Sequence, residues 1–185
     1  MRGRLFISAL ILVAVVGAAV YVLETGPSWF ERLRYPLDYA AVVRDRAHAE
    51  GLDPALLAAV IYEESKFRPN ARSSSGAIGL MQLTPATAKG IALRTGGTAF
   101  RLSDLTDPAI NIRYGAWYLG NLLRKYHVER LALAAYNAGQ GNVDRWLQAG
   151  SPIQFPETRT YVSRVEHLKH VYFDAWHSSL YAAVR

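Results

Sequence analysis

The sequence contains no cysteine, which excludes a disulfide framework, a thiolate metal site and a cysteine nucleophile. Charged residues are also few, at 19%, whereas hydrophobic residues make up 51%, and this balance argues against intrinsic disorder. Rossmann, P-loop and Gly-x-Ser-x-Gly patterns are absent, so nucleotide binding and serine-hydrolase chemistry have no support. The 185 residues suffice for about one domain.

One uncharged apolar run occupies residues 5–23, and as a helix it would span roughly 28 Å, close to the thickness of a bilayer core. Arg2 and Arg4 precede it, so the positive-inside rule predicts a cytoplasmic N-terminus and an exported remainder. The alternative is a cleaved signal peptide, whose apolar region should be shorter and end in an A-x-A-like site. The run is too long for that pattern and residues 16–18 are a marginal site. We therefore favour a retained membrane anchor.

The positive charge is modest once this segment is set aside. The whole chain carries +6, but residues 24–185 hold 19 basic and 15 acidic residues, which gives +4. They contain no basic run with interleaved aromatics, so we expect no nucleic-acid partner.

The sequence indicates the start of a helix at three places. Asp53-Pro54, Thr84-Pro85 and Asp107-Pro108 each pair a capping side chain with proline at the first helical position. Further helices are predicted over residues 37–50, 129–137, 142–148 and 157–176, and no segment alternates as a strand would. The sequence predicts a mainly α fold.

Glu64 occupies an unusual position on the helix that begins at Pro54. At about 100° per residue it falls in the middle of the apolar face, whereas Glu63 lies about 90° away at its edge. Desolvation there would raise the pKa of Glu64, as a general acid working near neutral pH requires. The alternative is a helix-end glutamate in solvent, or one paired with Arg68 or Arg72.

Four motifs follow in order: E64-S65, G79-L80-M81-Q82, A135-Y136-N137-A138-G139 and E157-T158-R159-T160-Y161. Together they closely resemble the soluble-lytic-transglycosylase (SLT) catalytic domain, a lysozyme-like family that cleaves bacterial peptidoglycan. The resemblance covers about residues 37–172. It implies a lysozyme-like helical domain over 37–178, preceded by the anchor or signal (1–23) and a connector (24–36), and followed by a tail (179–185).

The resemblance assigns roles to six residues. Glu64 matches the catalytic acid/base, and Tyr161 matches the tyrosine that hydrogen-bonds it. Gln82 and Ser73 match residues of the sugar groove, and Tyr136 and Asn137 match residues that face the substrate. Without the resemblance, core packing would be the favoured explanation of both tyrosines. Thr84 stands where some relatives have methionine, so the resemblance does not define the shape of the subsite there.

A partner carboxylate for Glu64 is not evident. Ordinary glycosidases use two carboxylates about 5–9.5 Å apart. The candidates here have no supporting motif: Glu63, Asp104, Asp107, Asp144 and Glu157. The resemblance implies a reaction with one carboxylate, in which Glu64 protonates the bond between N-acetylmuramic acid and N-acetylglucosamine and the muramoyl 6-hydroxyl then closes a 1,6-anhydro ring. We expect no metal or cofactor.

A metal site is the weaker interpretation of His167, His170 and Asp174, which share one helix face. No ligand motif accompanies them, and a solvated face explains them better. Two other functions remain as alternatives to the lytic transglycosylase: a hydrolytic lysozyme, and a non-catalytic wall-binding scaffold. The expected partners are peptidoglycan strands and the membrane, with the monomeric catalytic domain outside the cytoplasm.

Overall fold

Three helices begin at a proline that directly follows a capping side chain. In the computed structural model, which describes residues 2–97 and 99–183, Asp53 Oδ1 accepts from Ala55 N at 2.9 Å and Asp107 Oδ1 from Ile110 N at 2.9 Å. Thr84 Oγ1 likewise accepts from Thr87 N at 3.2 Å. A helix begins at the proline after each cap. The three predicted starts are confirmed, because each side chain binds an N–H group that the helix leaves free.

The fold is mainly helical, as the sequence predicts. The described helices are α1 (Arg2–Thr25), α2 (Ser28–Arg34), α3 (Ala40–Glu50), α4 (Pro54–Ser65), α5 (Pro85–Arg94), a 3₁₀ helix (Leu102–Thr106), α6 (Pro108–Tyr126), α7 (Glu129–Ala138), α8 (Gln140–Gln148) and α9 (Pro156–Leu180). In the described ranges the only β pairing consists of isolated bridges, which join Ile78 to Arg72 and to Leu83.

The chain divides into two compact units, Met1–Pro36 and Leu37–Arg185. The first unit contains α1 and α2, so the segment predicted as a connector holds a short helix over Ser28–Arg34. Sequence analysis overlooked this helix because no capping side chain marks its start at Pro27.

The apolar run near the N-terminus forms a helix, which confirms that part of the prediction. None of the helices in the described part of the chain combines the length and the apolar character that a membrane crossing requires. The membrane span predicted over residues 5–23 is therefore not supported.

The second unit is built around α4. Residues 55–61 are all buried, and α4 packs most extensively against α9 and also contacts α3. A further apolar cluster supports the loop after α4 and lies between α5 and α6; its buried members are Ile78, Leu83, Ala88, Ile91, Ala92, Leu105 and Tyr114. The end of α4, the loop over 66–84 and the start of α9 carry the residues of interest. Of the predicted tail 179–185, residues 179 and 180 belong to α9, and 184–185 lie outside the described residues.

Candidate active site

Glu64 lies in the last turn of α4. The helix ends at Ser65, because Lys66 adopts a left-handed conformation with φ of 54° and its N–H binds the Tyr62 carbonyl. Phe67 also has a positive φ, of 59°, and its side chain is buried. This sharp turn leaves Glu64 partly buried at the edge of the apolar core.

The hydroxyl of Tyr161 donates a hydrogen bond of 2.8 Å to Glu64 Oε1. Tyr161 is in the second turn of α9 and is only 7% exposed, so the α4–α9 packing fixes both partners. The resemblance implies this contact. Arg68 does not pair with Glu64; its Nε donates to the Ser65 carbonyl instead.

Burial is the main reason that the pKa of Glu64 rises from 4.5 to about 7. The Tyr161 hydrogen bond acts in the opposite direction and lowers the pKa, because it favours the ionised form. The charge of the neighbouring Glu63 raises the pKa further. The carboxyl group can therefore hold a proton near neutral pH and also release it.

Glu63 has a different environment from Glu64. Its Oε1 pairs with Arg164 at 3.3 Å and its Oε2 pairs with Lys66 at 3.4 Å. Arg164 lies one turn after Tyr161 on α9, so this ion pair also joins α4 to α9. The two adjacent glutamates thus have different partners. Glu64 accepts a hydrogen bond from a phenol, whereas Glu63 pairs with two cations.

Gln82 ends the tight turn after Gly79. It has a positive φ of 46°, and its side-chain amide donates to the carbonyls of Gly79 (2.9 Å) and Ala71 (3.2 Å). Both side-chain donors are therefore engaged by the loop backbone. The Oε1 atom makes no hydrogen bond within the described residues and is available to accept one from a ligand.

Asn111 of α6, which sequence analysis overlooked, holds this turn in place. Its Nδ2 donates to the carbonyls of Ile78 (3.0 Å) and Leu105 (2.8 Å), and its Oδ1 accepts from Met81 N at 2.8 Å. The side chain is fully buried, and these bonds use its whole amide. An asparagine in the first turn of a helix resembles an ordinary polar-face residue, so no local signal indicates this role.

Tyr136 of α7 contacts the same turn. Its hydroxyl donates to the Met81 carbonyl at 2.8 Å, and its ring is 5.5 Å from the ring of Tyr118. Burial, followed by the charge of Glu64, raises its pKa well above the usual value for tyrosine. Tyr136 is therefore neutral and close enough to Glu64 for their charges to interact.

The last two predicted residues, Asn137 and Ser73, are not hydrogen-bonded to Glu64. Asn137 is exposed, and its Oδ1 accepts from Thr158 Oγ1 at 2.8 Å, which joins α7 to α9. Ser73 Oγ accepts from Ala77 N at 3.0 Å and lies 2.8 Å from Ser75 Oγ. The serine thus stabilises the loop, while the asparagine retains its NH₂ group for a ligand.

The other acidic candidates have partners of their own or lie in solvent. Asp104 and Asp107 cap helix starts, and Asp144 binds Lys125 and Tyr126. Glu157 is exposed at the start of α9. Within the described ranges no three His, Asp or Glu side chains cluster as a metal site would require, and this includes His167 and His170.

Comparisons with known proteins agree on one family. The family model described as Transglycosylase SLT domain matches residues 41–152. The membrane-bound lytic murein transglycosylase F of Yersinia enterocolitica is 42% identical over 103 residues, which cover 52% of this chain and 19% of that protein.

Solved structures show the same relationship. An inactive glutamate-to-glutamine mutant of the lytic transglycosylase Slt from Pseudomonas aeruginosa aligns with a TM-score of 0.72 at 33% identity, covering 86% of this chain and 29% of that one. The 70 kDa soluble lytic transglycosylase SLT70 from Escherichia coli aligns with a TM-score of 0.73 at 30% identity, covering 78% and 25%. The chain thus spans less than a third of the length of each of these relatives.

Proposed function

The chain belongs to the transglycosylase SLT domain family, and from this premise we propose that it is a lytic transglycosylase acting on peptidoglycan. The single observation that carries the proposal is the Glu64–Tyr161 pair, a glutamate with a pKa of about 7 held by a buried phenol. A carboxyl group with that pKa is suited to act first as an acid and then as a base near neutral pH.

In the first step, protonated Glu64 transfers its proton to the glycosidic oxygen between N-acetylmuramic acid and N-acetylglucosamine. The bond from the anomeric carbon to that oxygen breaks, and its electron pair leaves with the oxygen. The acetamido group of the same muramoyl unit stabilises the positive charge at the anomeric carbon. The carboxylate that remains on Glu64 is stabilised by the Tyr161 hydroxyl.

In the second step, the muramoyl 6-hydroxyl attacks the anomeric carbon and gives its proton to Glu64. The product carries a 1,6-anhydro ring, and Glu64 returns to its protonated state. Water is not consumed, and one carboxyl group both donates the proton of the first step and accepts the proton of the second.

Four further residues form the proposed sugar groove. We assign Gln82 Oε1 as an acceptor and the Asn137 NH₂ group as a donor for acetamido groups, because neither of these groups has a partner within the described residues. The Tyr136 ring provides an aromatic face, since its hydroxyl is already bound to Met81. Ser73 shapes the rim of the groove through its bonds to the loop.

A one-carboxylate reaction is favoured over hydrolysis by two carboxylates. Glu63 is the nearest acidic neighbour in sequence, but its two oxygens are paired with Arg164 and Lys66. A water-activating base would need a free carboxylate across the groove. A scaffold that only binds the wall would have no use for a glutamate with a raised pKa, which favours catalysis over that alternative.

In the decisive experiment, the protein digests purified peptidoglycan and mass spectrometry measures the masses of the products. We expect anhydromuramoyl ends, which are one water lighter than hydrolysed ends. Glu64→Gln should abolish turnover but keep the fold and the binding of sugars. Glu63→Gln, the matched control on the adjacent residue, should retain most of the activity. Cleavage by the Glu64→Gln variant, or free reducing ends from the wild type, would contradict the proposal.

This activity places residues 37–185 where peptidoglycan is, outside the cytoplasm. We propose that this unit works as a monomer, because every group assigned above lies in one unit of one chain. Sedimentation of the active protein tests this expectation, and an active dimer that loses activity on dilution would contradict it.

A further inference from the structure

The buried hydroxyl of Thr158 connects the start of α9 to the end of α7. Thr158 is only 1% exposed, and its Oγ1 donates to Asn137 Oδ1 at 2.8 Å. Asn137 is the penultimate residue of α7, and its side chain is exposed. The bond therefore joins a hydroxyl inside the helix packing to an amide that a ligand can reach.

This bond determines which end of the Asn137 amide faces outward. The oxygen of an asparagine accepts hydrogen bonds and the NH₂ group donates them, so the two orientations of the amide offer a ligand opposite chemistry. If Thr158 accepted from the NH₂ group instead, its own buried proton would lack an acceptor, since the hydroxyl makes no other hydrogen bond within the described residues. The oxygen is thus turned toward α9, and the NH₂ group is left for a ligand.

The same face of α9 orients the acid. Thr158 and Tyr161 are three residues apart, which places them one turn apart on the same side of the helix. Tyr161 donates to Glu64 at 2.8 Å, and Thr158 donates to Asn137 at the same distance. Both donors are buried. The start of α9 therefore holds the carboxyl group and the amide in the same way, each by a buried hydroxyl that donates to an oxygen.

A fixed orientation of the amide distinguishes two kinds of amino sugar. An N-acetyl group presents a carbonyl oxygen, which accepts a hydrogen bond from the Asn137 NH₂ group. A sugar that has lost its acetyl group carries an ammonium group there, which can only donate. Two donors cannot bond to each other, and the ammonium group would lose water without a replacement. An amide that was free to turn would instead offer its oxygen to the ammonium group.

We propose that Thr158 is a positioning residue that fixes the NH₂ group of Asn137 toward the glycan, so that the enzyme selects N-acetylated amino sugars over those with free amino groups. This inference rests on the proposed function, because it takes Asn137 as part of the sugar groove. It adds a role for a buried side chain that acts only through Asn137, and it states which chemical change in the glycan the groove rejects.

The test measures binding by calorimetry in the full chain with Glu64→Gln. One probe is tetra-N-acetylchitotetraose, and the other is the same tetramer with free amino groups, at about pH 6, where these groups are protonated. The Glu64→Gln background prevents cleavage and removes a carboxyl group that would itself attract ammonium. The quantity compared is the selectivity, the ratio of the affinity for the acetylated tetramer to the affinity for the free-amine tetramer.

Adding Thr158→Val keeps the branched shape of the side chain but removes its hydroxyl. Binding of the acetylated tetramer should weaken about threefold, because only part of the molecules then presents the NH₂ group. Binding of the free-amine tetramer should tighten about threefold, because the turned amide accepts from its ammonium group. The selectivity should therefore fall about tenfold. Thr158→Ser keeps the hydroxyl and should retain the selectivity of the parent.

Thr160→Val is the matched control. Thr160 is exposed on the same helix, and its hydroxyl donates to the Pro156 carbonyl rather than to α7. This variant should change neither affinity. Unchanged selectivity in Thr158→Val would overturn the proposal, and so would a weakening of both probes by the same factor, which is the result of a purely structural role. Thr158→Ala also lacks the hydroxyl and provides the same measurement if the valine variant does not fold.

Two further measurements keep this inference separable from the proposed function. With Glu64 intact, Thr158→Val should raise KM for N-acetylated strands about threefold and leave kcat unchanged. Asn137→Asp presents an oxygen in either orientation, so it should favour the free-amine tetramer whatever Thr158 does. If Asn137→Asp lowers the selectivity but neither variant of Thr158 without the hydroxyl does, only the role of Thr158 fails. If Asn137→Asp has no effect either, the assignment of Asn137 to the groove fails as well, and a wild type that neither binds nor cleaves any glycan would overturn the proposed function itself.

Discussion

Opposing effects set the pKa of Glu64. Burial and the charge of Glu63 raise its pKa, and the hydroxyl of Tyr161 lowers it, which leaves the value at about 7. Because the protonated form is the acid of the first step, activity should fall as the pH rises through about 7. The effects of Glu63 and Tyr161 each come from one side chain, so each of these two can be removed separately.

Replacing Tyr161 with phenylalanine removes the hydrogen bond that favours the ionised carboxylate. The pKa of Glu64 should rise, and the alkaline limb of the kcat/KM profile should move to higher pH. The maximal rate should fall about tenfold, because the carboxylate formed in the first step loses a charge-assisted bond. Tyr114→Phe, in the apolar cluster, is the control and should leave the profile where it is.

Glu63→Gln should move the same limb in the opposite direction. Removing its negative charge lowers the pKa of Glu64, so activity should decline at a lower pH than in the wild type. A shift of both variants in the same direction would contradict this account of the pair.

The raised pKa also predicts how stability depends on pH. Folding raises the pKa of Glu64 from 4.5 to about 7, so the folded state binds this proton more tightly than the unfolded chain does. The contribution of Glu64 to the free energy of unfolding therefore falls as the pH rises from about 4.5 to about 7, and it stays low above that. Glu64→Gln should be more stable than the wild type at pH 8 by about 1–3 kcal/mol, and equally stable at pH 4. Urea denaturation at the two pH values measures the difference, and a wild type that is the more stable protein at pH 8 would contradict it.

The sequence revealed Glu64 because an acidic residue on an apolar helix face breaks a local pattern. Asn111 breaks no such pattern. Its surroundings come from a segment distant in the chain, the turn at 78–81. Roles of this kind depend on packing between elements, and a periodicity argument cannot find them.

Among the connecting segments, the turn over 76–82 depends on two glycines for different reasons. Gly76 has φ of 81° and Gly79 has φ of 84°, so both adopt a conformation that suits glycine. A Cβ at Gly76 would meet nothing within 4 Å. A Cβ at Gly79 would lie 2.3 Å from the Leu105 carbonyl oxygen and 2.1 Å from Asn111 Nδ2, so the turn and the start of α6 are in direct contact there.

This difference predicts unequal costs for the same substitution. Gly76→Ala should destabilise the protein by about 1–2 kcal/mol, the cost of the left-handed backbone alone. Gly79→Ala should cost about 2 kcal/mol more, because it also breaks the buried hydrogen bonds of Asn111. Urea denaturation of both variants provides the comparison, and equal losses would show that Asn111 does not hold the turn. Gly79→Ala should also reduce sugar binding, since Gln82 follows in the same turn.

For the molecule as a whole, capping chemistry made the helical architecture predictable. The confirmed starts at Pro54, Pro85 and Pro108 each rest on a local bond between a side chain and the backbone. The short helix α2 and the 3₁₀ helix over Leu102–Thr106 were not predicted, because neither contains enough residues for a periodic pattern. How the helices pack in the second unit depends on long-range contacts, and the family resemblance predicted the lysozyme-like domain before any contact was known.

All groups assigned to catalysis and sugar binding lie between Glu64 and Tyr161, within the unit Leu37–Arg185. Its core contains α4, α6 and α9 and is complete within that unit. A fragment of residues 37–185 should therefore unfold in one cooperative transition and release the same anhydro products from soluble muropeptides, with kcat/KM within about twofold of the full chain. Calorimetry and product masses test both parts. A fragment that unfolds gradually, or that folds but does not cleave, would show that residues 1–36 contribute to the fold or to the site.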